Sequence, residues 1–355
     1  MPCVVIVIPG FAKDEQDSLC LPPMQQFILC AQRALPDFTL LIVSLQYPFE
    51  RKNYTWHNIP VFAIGGSNRP GLRRFITWIK TYRQLQKIRK QYQPQGILSL
   101  WLHETALVSK FFAARAKLPH YIWLQGQDIK KTNQYIARVQ PKASELIAIS
   151  EFTQETYFVN HGIRPFMVAN NGVNKALFEE LNTTTRDIDI LGVGNLIALK
   201  NYSFFIDIVS ALKSFFPNIR AMIAGEGPEL HLLQQKVNTL QLNNNIQFTG
   251  ALPHAETLRL MNRSKVFLHT SLFEGNSTVL IEALYSGCMA FSTVPLSQQP
   301  VENLRVLTQQ KEFVKDIHEV LNQALPSVKR VMFNDMEDSA KKIFGLFAAV
   351  GQQGR

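Results

Sequence analysis

Ile188-Asp189-Ile190-Leu191-Gly192-Val193-Gly194-Asn195-Leu196-Ile197 is an apolar, β-branched run that ends in a glycine-bearing turn. Just before it, Leu181-Asn182-Thr183-Thr184-Thr185-Arg186 is polar and without period. The run therefore restarts a pattern that had stalled, and it divides the chain. Upstream, strand-like runs near 3–8, 39–45, 97–102, 120–124 and 145–149 alternate with helical spacing. Downstream, runs near 188–193, 219–224, 246–249, 266–269 and 289–292 do the same. Such alternation predicts βαβ units and a parallel sheet in each half. Ligands of doubly wound sheets sit at the carboxyl ends of the strands, so the expected site is a cleft between two facing domains.

A length of 355 residues suits two such domains, each with its own core. Apolar residues make up 46% of the chain but fall in short runs such as Val4-Val5-Ile6-Val7-Ile8. These are far below the roughly 18 residues a membrane span needs, so a soluble or peripheral protein is expected. The pentad follows Met1-Pro2-Cys3 and stops at Pro9-Gly10, which reads as a buried strand and not a signal peptide. Cys3, Cys20, Cys30 and Cys288 lack Cys-x-x-Cys spacing, so neither a zinc site nor a disulfide framework is expected, and a reducing cytoplasm fits.

The net charge of +10 is concentrated in one half: residues 1–180 hold 21 Lys and Arg against 12 Asp and Glu, leaving 16 against 15 for the remainder. From Arg69 to Lys90 there are eight cations (Arg69, Arg73, Arg74, Lys80, Arg83, Lys87, Arg89, Lys90) and no acid, interleaved with Phe75, Ile76, Trp78, Ile79, Leu85 and Ile88. This is a basic amphipathic helix, suited to an anionic membrane surface or merely solvated. No nucleic-acid module accompanies it, so nucleic acid is not an expected partner.

Gly192-Val193-Gly194-Asn195 starts like a dinucleotide fingerprint but lacks the third glycine. Such a turn lets backbone N–H groups approach a phosphate, and Lys200 can add a full charge; the plainer reading is a tight turn with a surface lysine. Ala224-Gly225-Glu226-Gly227-Pro228 marks a second strand-to-helix junction. More specific is Ser271-Leu272-Phe273-Glu274-Gly275-Asn276-Ser277-Thr278, followed by an apolar helix that carries Glu282. A carboxylate there is costly unless paired; ribose hydroxyls would satisfy it, and so would a structural ion pair.

In order and spacing these pieces resemble the family 4 glycosyltransferases of the GT-B fold, glycosyl transferases group 1, from about residue 97 to 345. The matching stretches begin with Ala143 to Thr153, a strand ending in serine, and Val168-Ala169-Asn170-Asn171-Gly172-Val173-Asn174 before Phe178. They continue with Val193 to Asn201, Ala224 to Pro228, Phe248-Thr249-Gly250, and the glutamates Glu274 and Glu282 with their seven-residue gap. Phe333 to Ala340 resembles the start of the family's terminal helix, which crosses back onto the first domain.

The resemblance implies an α/β GT-B fold of two facing Rossmann-like doubly wound domains: residues 1–178 with about 335–355 for the acceptor, and 179–334 for a nucleotide-sugar. It implies a retaining, metal-independent transferase acting on a lipid-linked, lipopolysaccharide or polysaccharide acceptor, with no cofactor. Lys200 and Glu274 would be catalytic, and Gly194, Asn195, Gly275, Asn276, Ser277, Thr278 and Glu282 would help bind the donor. Gly10, His103 and Gln125 would face the sugar or acceptor. The chain departs from the family at four places: Asn195 stands for an arginine, Gln125 for a histidine, Asn276-Ser277 for Phe-Gly, and Pro9-Gly10 for a glycine pair. These departures keep open an inactive relative that only binds a sugar nucleotide. A hydrolase using two carboxylates is less economical.

Overall fold

The structure, a computed structural model, describes residues 2–179, 181, 185–323 and 329–353. It divides into two compact units, 1–171 with 336–355 and 172–335.

The first unit opens with β1 (Cys3–Gly10), α1 (Pro22–Ala34), β2 (Thr39–Tyr47), β3 (Lys52–Trp56), β4 (Ile59–Ala63) and α2 (Leu72–Tyr92). It continues with β5 (Gly96–Leu100), α3 (Glu104–Ala116), β6 (His120–Trp123), α4 (Tyr135–Val139), β7 (Leu146–Ala148), α5 (Glu151–His161) and β8 (Met167–Val168). The sheet order is β3-β4-β2-β1-β5-β6-β7-β8, parallel except for β3. β1 is central because its apolar run is buried on both faces, as a parallel strand requires. Val4, Ile6 and Ile8 pack with Phe27 of α1, and Val5 and Val7 with Leu85 and Ile88 of α2.

The C-terminal helix Met336–Gln353 completes this unit: Phe344 and Phe347 are fully buried, with Phe344 stacked on Phe27 at 5.9 Å between ring centroids. Gly354 and Arg355, within the expected terminal segment, lie outside the described residues. The β3–β4 hairpin was not expected. Its two turn residues, His57 and Asn58, have φ of 45° and 64°, the two left-handed residues of a type I′ turn, made here without glycine.

The basic helix runs over Leu72–Tyr92, and its apolar residues split between two faces. Leu85 and Ile88 are buried with Thr77, Thr81 and Gln84, whereas Leu72, Phe75, Ile76 and Ile79 are exposed. Trp78 is half-buried and donates its indole N–H to Glu104 Oε2 at 2.8 Å.

The second unit holds β9 (Ile188–Val193), α6 (Tyr202–Leu212), β10 (Ala221–Ala224), α7 (Leu230–Thr239), β11 (Ile246–Gly250) and α8 (His254–Asn262). After these come β12 (Ser264–His269), α9 (Thr278–Tyr285), β13 (Met289–Ser292), β14 (Leu304–Val306) and α10 (Gln310–Asn322). Its parallel sheet is ordered β11-β10-β9-β12-β13-β14. The order reverses between β9 and β12, where the loops leaving the two strands diverge and open a crevice at their carboxyl ends. The first unit has the same kind of reversal between β1 and β5.

The break between units falls at 171/172, not at 178/179. Val173 donates its N–H to Asn334 O at 2.9 Å, and Phe178 is buried edge-on against Tyr285, so 172–178 packs with the second unit. Asn182 to Thr184 of the polar stretch lie outside the described residues. Its last residue, Arg186, is buried, where its guanidinium donates to the carbonyls of Ser264 and Ser286.

Candidate functional site

The crevice of the second unit is built from backbone. Gly194 N–H bonds Ala224 O at 3.0 Å, Leu196 N–H bonds Glu226 O at 2.8 Å, and Glu229 N–H returns to Leu196 O at 3.0 Å. The turns after β9 and β10 thus lie against each other, and the second is more than a strand-helix junction. A Cβ on Gly225 would stand 1.9 Å from Gly194 O, and one on Gly227 2.4 Å from Leu196 O. Only glycine permits that approach.

Lys200 ends the 3₁₀ turn Ala198–Lys200 that leads into α6. Two bonds from the loop after β12 fix this turn: Leu272 N–H to Leu199 O at 2.8 Å and Thr270 Oγ1 to Lys200 O at 2.9 Å. They bring the Lys200 ammonium onto Glu274 Oε1, from residues 74 apart in sequence. His269, at the end of β12, faces the same oxygen through Nε2 at 3.3 Å. Burial works to raise the Glu274 pKa, but the neighbouring His269 and the Lys200 charge outweigh it and bring it to about 2. Glu274 is a carboxylate at any physiological pH.

Helix α9 begins at Thr278, so Glu274 lies in the loop before it and Glu282 on its buried face. Ser277, at the N-cap, turns its hydroxyl to His269 Nε2 at 3.3 Å and does not cap the helix. Glu282 Oε1 is 2.8 Å from His254 Nε2, at the start of α8. Burial tends to lower the His254 pKa, and the Glu282 carboxylate more than compensates, so the ring is held above its ordinary range. The pairing anticipated for a buried Glu282 is therefore made inside the protein, by a histidine.

Both amide atoms of Asn276 are buried without a hydrogen-bond partner. Leaving such a group unsatisfied costs about 1–3 kcal/mol. Asn276→Leu should therefore raise the melting temperature of the ligand-free chain while weakening its binding of a polyhydroxyl or diphosphate ligand. Calorimetric unfolding with and without ligand checks this, and a lower melting temperature with unchanged binding would remove the idea. Asn195 is exposed on the same loop system, and Gly194 faces the Lys200 methylenes, its built Cβ lying 3.7 Å from Lys200 Cε.

In the first unit, Gly10 ends β1, and His103 follows β5, on the two strands flanking the reversal. Asp128 ties the next loop to it, its Oδ2 accepting Leu102 N–H at 2.9 Å and Gln125 N–H at 2.8 Å. Burial pushes Asp128 up to about 7. Burial also lowers His103 to about 4, so this ring is neutral, and its Nδ1 and the Gln125 Nε2 are buried without partners. His269, His254 and Asp128 escaped the sequence reading because none has ligand-like spacing. Only the position of His269, at the end of an apolar strand and two residues before Ser271, hinted at a role.

Residues 173–327, nearly all of the second unit, match the family model described as glycosyl transferases group 1. Over 154 residues the chain is 25% identical to a component of the phosphatidylinositol N-acetylglucosaminyltransferase of Arabidopsis thaliana, covering 42% of this chain and 34% of that one. Over 308 residues it is 22% identical to the phosphatidylinositol N-acetylglucosaminyltransferase GPI3 subunit of Saccharomyces cerevisiae, covering 81% and 67%. The chain thus spans about a third of the first relative's length and about two thirds of the second's. Among solved structures, Anabaena HepE in complex with UDP and glucose matches with a TM-score of 0.69 at 16% identity, over 99% of this chain and 97% of that one. That likeness is one of fold: two doubly wound units of the GT-B type.

Proposed function

We propose that the chain, whose residues 173–327 match the glycosyl transferases group 1 model, is a glycosyltransferase that moves a sugar from a UDP-linked donor to a lipid-linked or other glycolipid acceptor. In this reading the anomeric configuration is retained and no metal is used. The observation that carries it is the Lys200–Glu274 pair at the β9/β12 reversal, with the unsatisfied amide of Asn276 two residues on and Glu282 on the helix that follows. A cation, two carboxylates and an amide on the segments that leave β9 and β12 suit a diphosphate, a ribose and a sugar. The solved relative that holds UDP and glucose supports a uridine donor. The names of the curated relatives join N-acetylglucosamine with phosphatidylinositol, which makes an N-acetylhexosamine and an inositol lipid the first pair to assay.

In this mechanism Lys200 neutralises the departing diphosphate as the bond from the sugar's anomeric carbon to phosphate oxygen breaks. That oxygen takes the proton of the acceptor hydroxyl, which attacks from the same face. Glu274 holds hydroxyls of the sugar and Glu282 those of the ribose. Gly194 and the backbone of Gly275 to Thr278 line the donor, and the first unit, around Gly10, His103 and Gln125, receives the acceptor. In EDTA, purified protein should release UDP from UDP-N-acetylglucosamine when phosphatidylinositol vesicles or a lipopolysaccharide core are added, with an α-linked product by NMR. Donor binding without release for any acceptor would instead favour the inactive relative.

Among the described residues no helix is long and apolar enough to cross a membrane. On α2, however, Leu72, Phe75, Ile76 and Ile79 are exposed by 74, 53, 41 and 37%, at the i, i+3, i+4, i+7 spacing of one helical stripe. The stripe lies among the exposed cations Arg69, Arg73, Lys80 and Arg83. In this reading it seats the chain peripherally on the anionic inner face of the membrane, in the cytoplasm. Burying one Phe or Ile is worth about 1.5–3 kcal/mol. The double change Phe75→Glu with Ile76→Glu should therefore weaken sedimentation with phosphatidylserine-containing vesicles by at least about tenfold. Binding that is unaffected by this change would show that the stripe does not insert.

A further inference from the structure

His269 is 4% exposed and has a fixed hydrogen-bond polarity. A serine hydroxyl has one proton to give. That of Ser292 goes to Val294 O at 2.7 Å, so its oxygen must accept from His269 Nδ1, 2.9 Å away. Nδ1 therefore carries a hydrogen in either charge state of the ring, and the proton that can come and go is on Nε2. That nitrogen faces Ser271 Oγ at 3.1 Å, Ser277 Oγ at 3.3 Å and Glu274 Oε1 at 3.3 Å.

While Lys200 sits on Glu274 Oε1, the carboxylate already has its cation, and a neutral His269 can accept from a serine hydroxyl at Nε2. A diphosphate that draws the Lys200 ammonium away leaves a half-buried carboxylate facing the bare nitrogen of a neutral ring. An unpaired charge in such a place is costly, and Nε2 is the group positioned to relieve it. The ionisable groups around this point are Glu274 and Lys200, with Tyr202 at the start of α6, whose phenol burial holds protonated.

We propose that His269 is a positioning residue that takes up a proton at Nε2 when the donor draws Lys200 off Glu274, so that donor binding and proton uptake are coupled. The inference rests on the reading above that Lys200 meets the diphosphate. The proton comes from solvent, and no other bond is made or broken. His269⁺ then holds Glu274 by Oε1, the oxygen Lys200 has left, and leaves Oε2 to the sugar.

Calorimetric titration with UDP-glucose, which has no group titrating near neutrality, tests this in two buffers of different ionisation enthalpy at the same slightly alkaline pH. The wild-type chain should show a buffer-dependent enthalpy corresponding to net proton uptake. His269→Gln, whose amide N–H donates to Glu274 without titrating, should bind UDP-glucose with no buffer dependence. A buffer-independent enthalpy in the wild type, or equal uptake in the Gln variant, would overturn the coupling alone. A wild-type chain that does not bind UDP-glucose at all would remove the proposed donor and this inference together.

Discussion

Lys200→Ala should lower kcat/KM for UDP release by about 100- to 1,000-fold, the range seen when one preorganised group that stabilises transition-state charge is removed. The expectation follows from position as well as charge. Leu272 and Thr270 clamp the Leu199 and Lys200 carbonyls of the turn, so the ammonium is held at the β9/β12 reversal before any ligand arrives. Most of the loss should fall in kcat, because leaving-group charge develops fully only as the glycosidic bond breaks. Glu282→Ala should instead act mainly on KM, through the ribose. Steady-state kinetics on the two variants separate these roles, and a Lys200→Ala enzyme within about threefold of wild type in kcat/KM, under 1 kcal/mol, would remove Lys200 from the mechanism.

Gly225→Ala is expected to damage both fold and donor binding. Its new Cβ would lie 1.9 Å from a backbone oxygen, Gly194 O, which cannot swing aside as a side chain can. Overpacking of this kind typically costs about 1–3 kcal/mol, and a backbone clash belongs at the upper end or beyond. The displaced atom belongs to the loop that precedes Lys200, so UDP affinity should fall with the melting temperature. Gly345→Ala provides the contrast: a Cβ there meets nothing within 4 Å, and alanine in a helix gains about 0.5–1 kcal/mol over glycine. Thermal unfolding with and without UDP measures both. An unperturbed Gly225→Ala would mean that the two turns need not lie so close.

The strands were legible because runs such as Val4 to Ile8 and Ile188 to Val193 carry their burial in their composition. The loop-and-helix setting of Glu274 and Glu282 was legible for a related reason, the change from a polar turn to an apolar helix at Ser277 to Leu280. What escaped depends on contacts between distant segments. Gly225 and Gly227 read as a junction because their reason lies at Gly194 and Leu196, and Arg186 read as linker because the carbonyls it serves are on Ser264 and Ser286. On α2 the composition disclosed amphipathicity but not its direction. Thr77, Thr81 and Gln84 turn inward while Leu72, Phe75, Ile76 and Ile79 stay out, the reverse of what hydropathy alone would choose. The histidines beside the two glutamates were invisible for the same cause, since nothing local to His254 points to a carboxylate 28 positions away.

A crystal structure of the chain with UDP would test the central claim most directly. The account predicts the diphosphate within hydrogen-bond reach of Lys200 and the ribose hydroxyls on Glu282, with Lys200 drawn off Glu274. UDP bound elsewhere, with the Lys200–Glu274 and His254–Glu282 pairs unchanged, would contradict it.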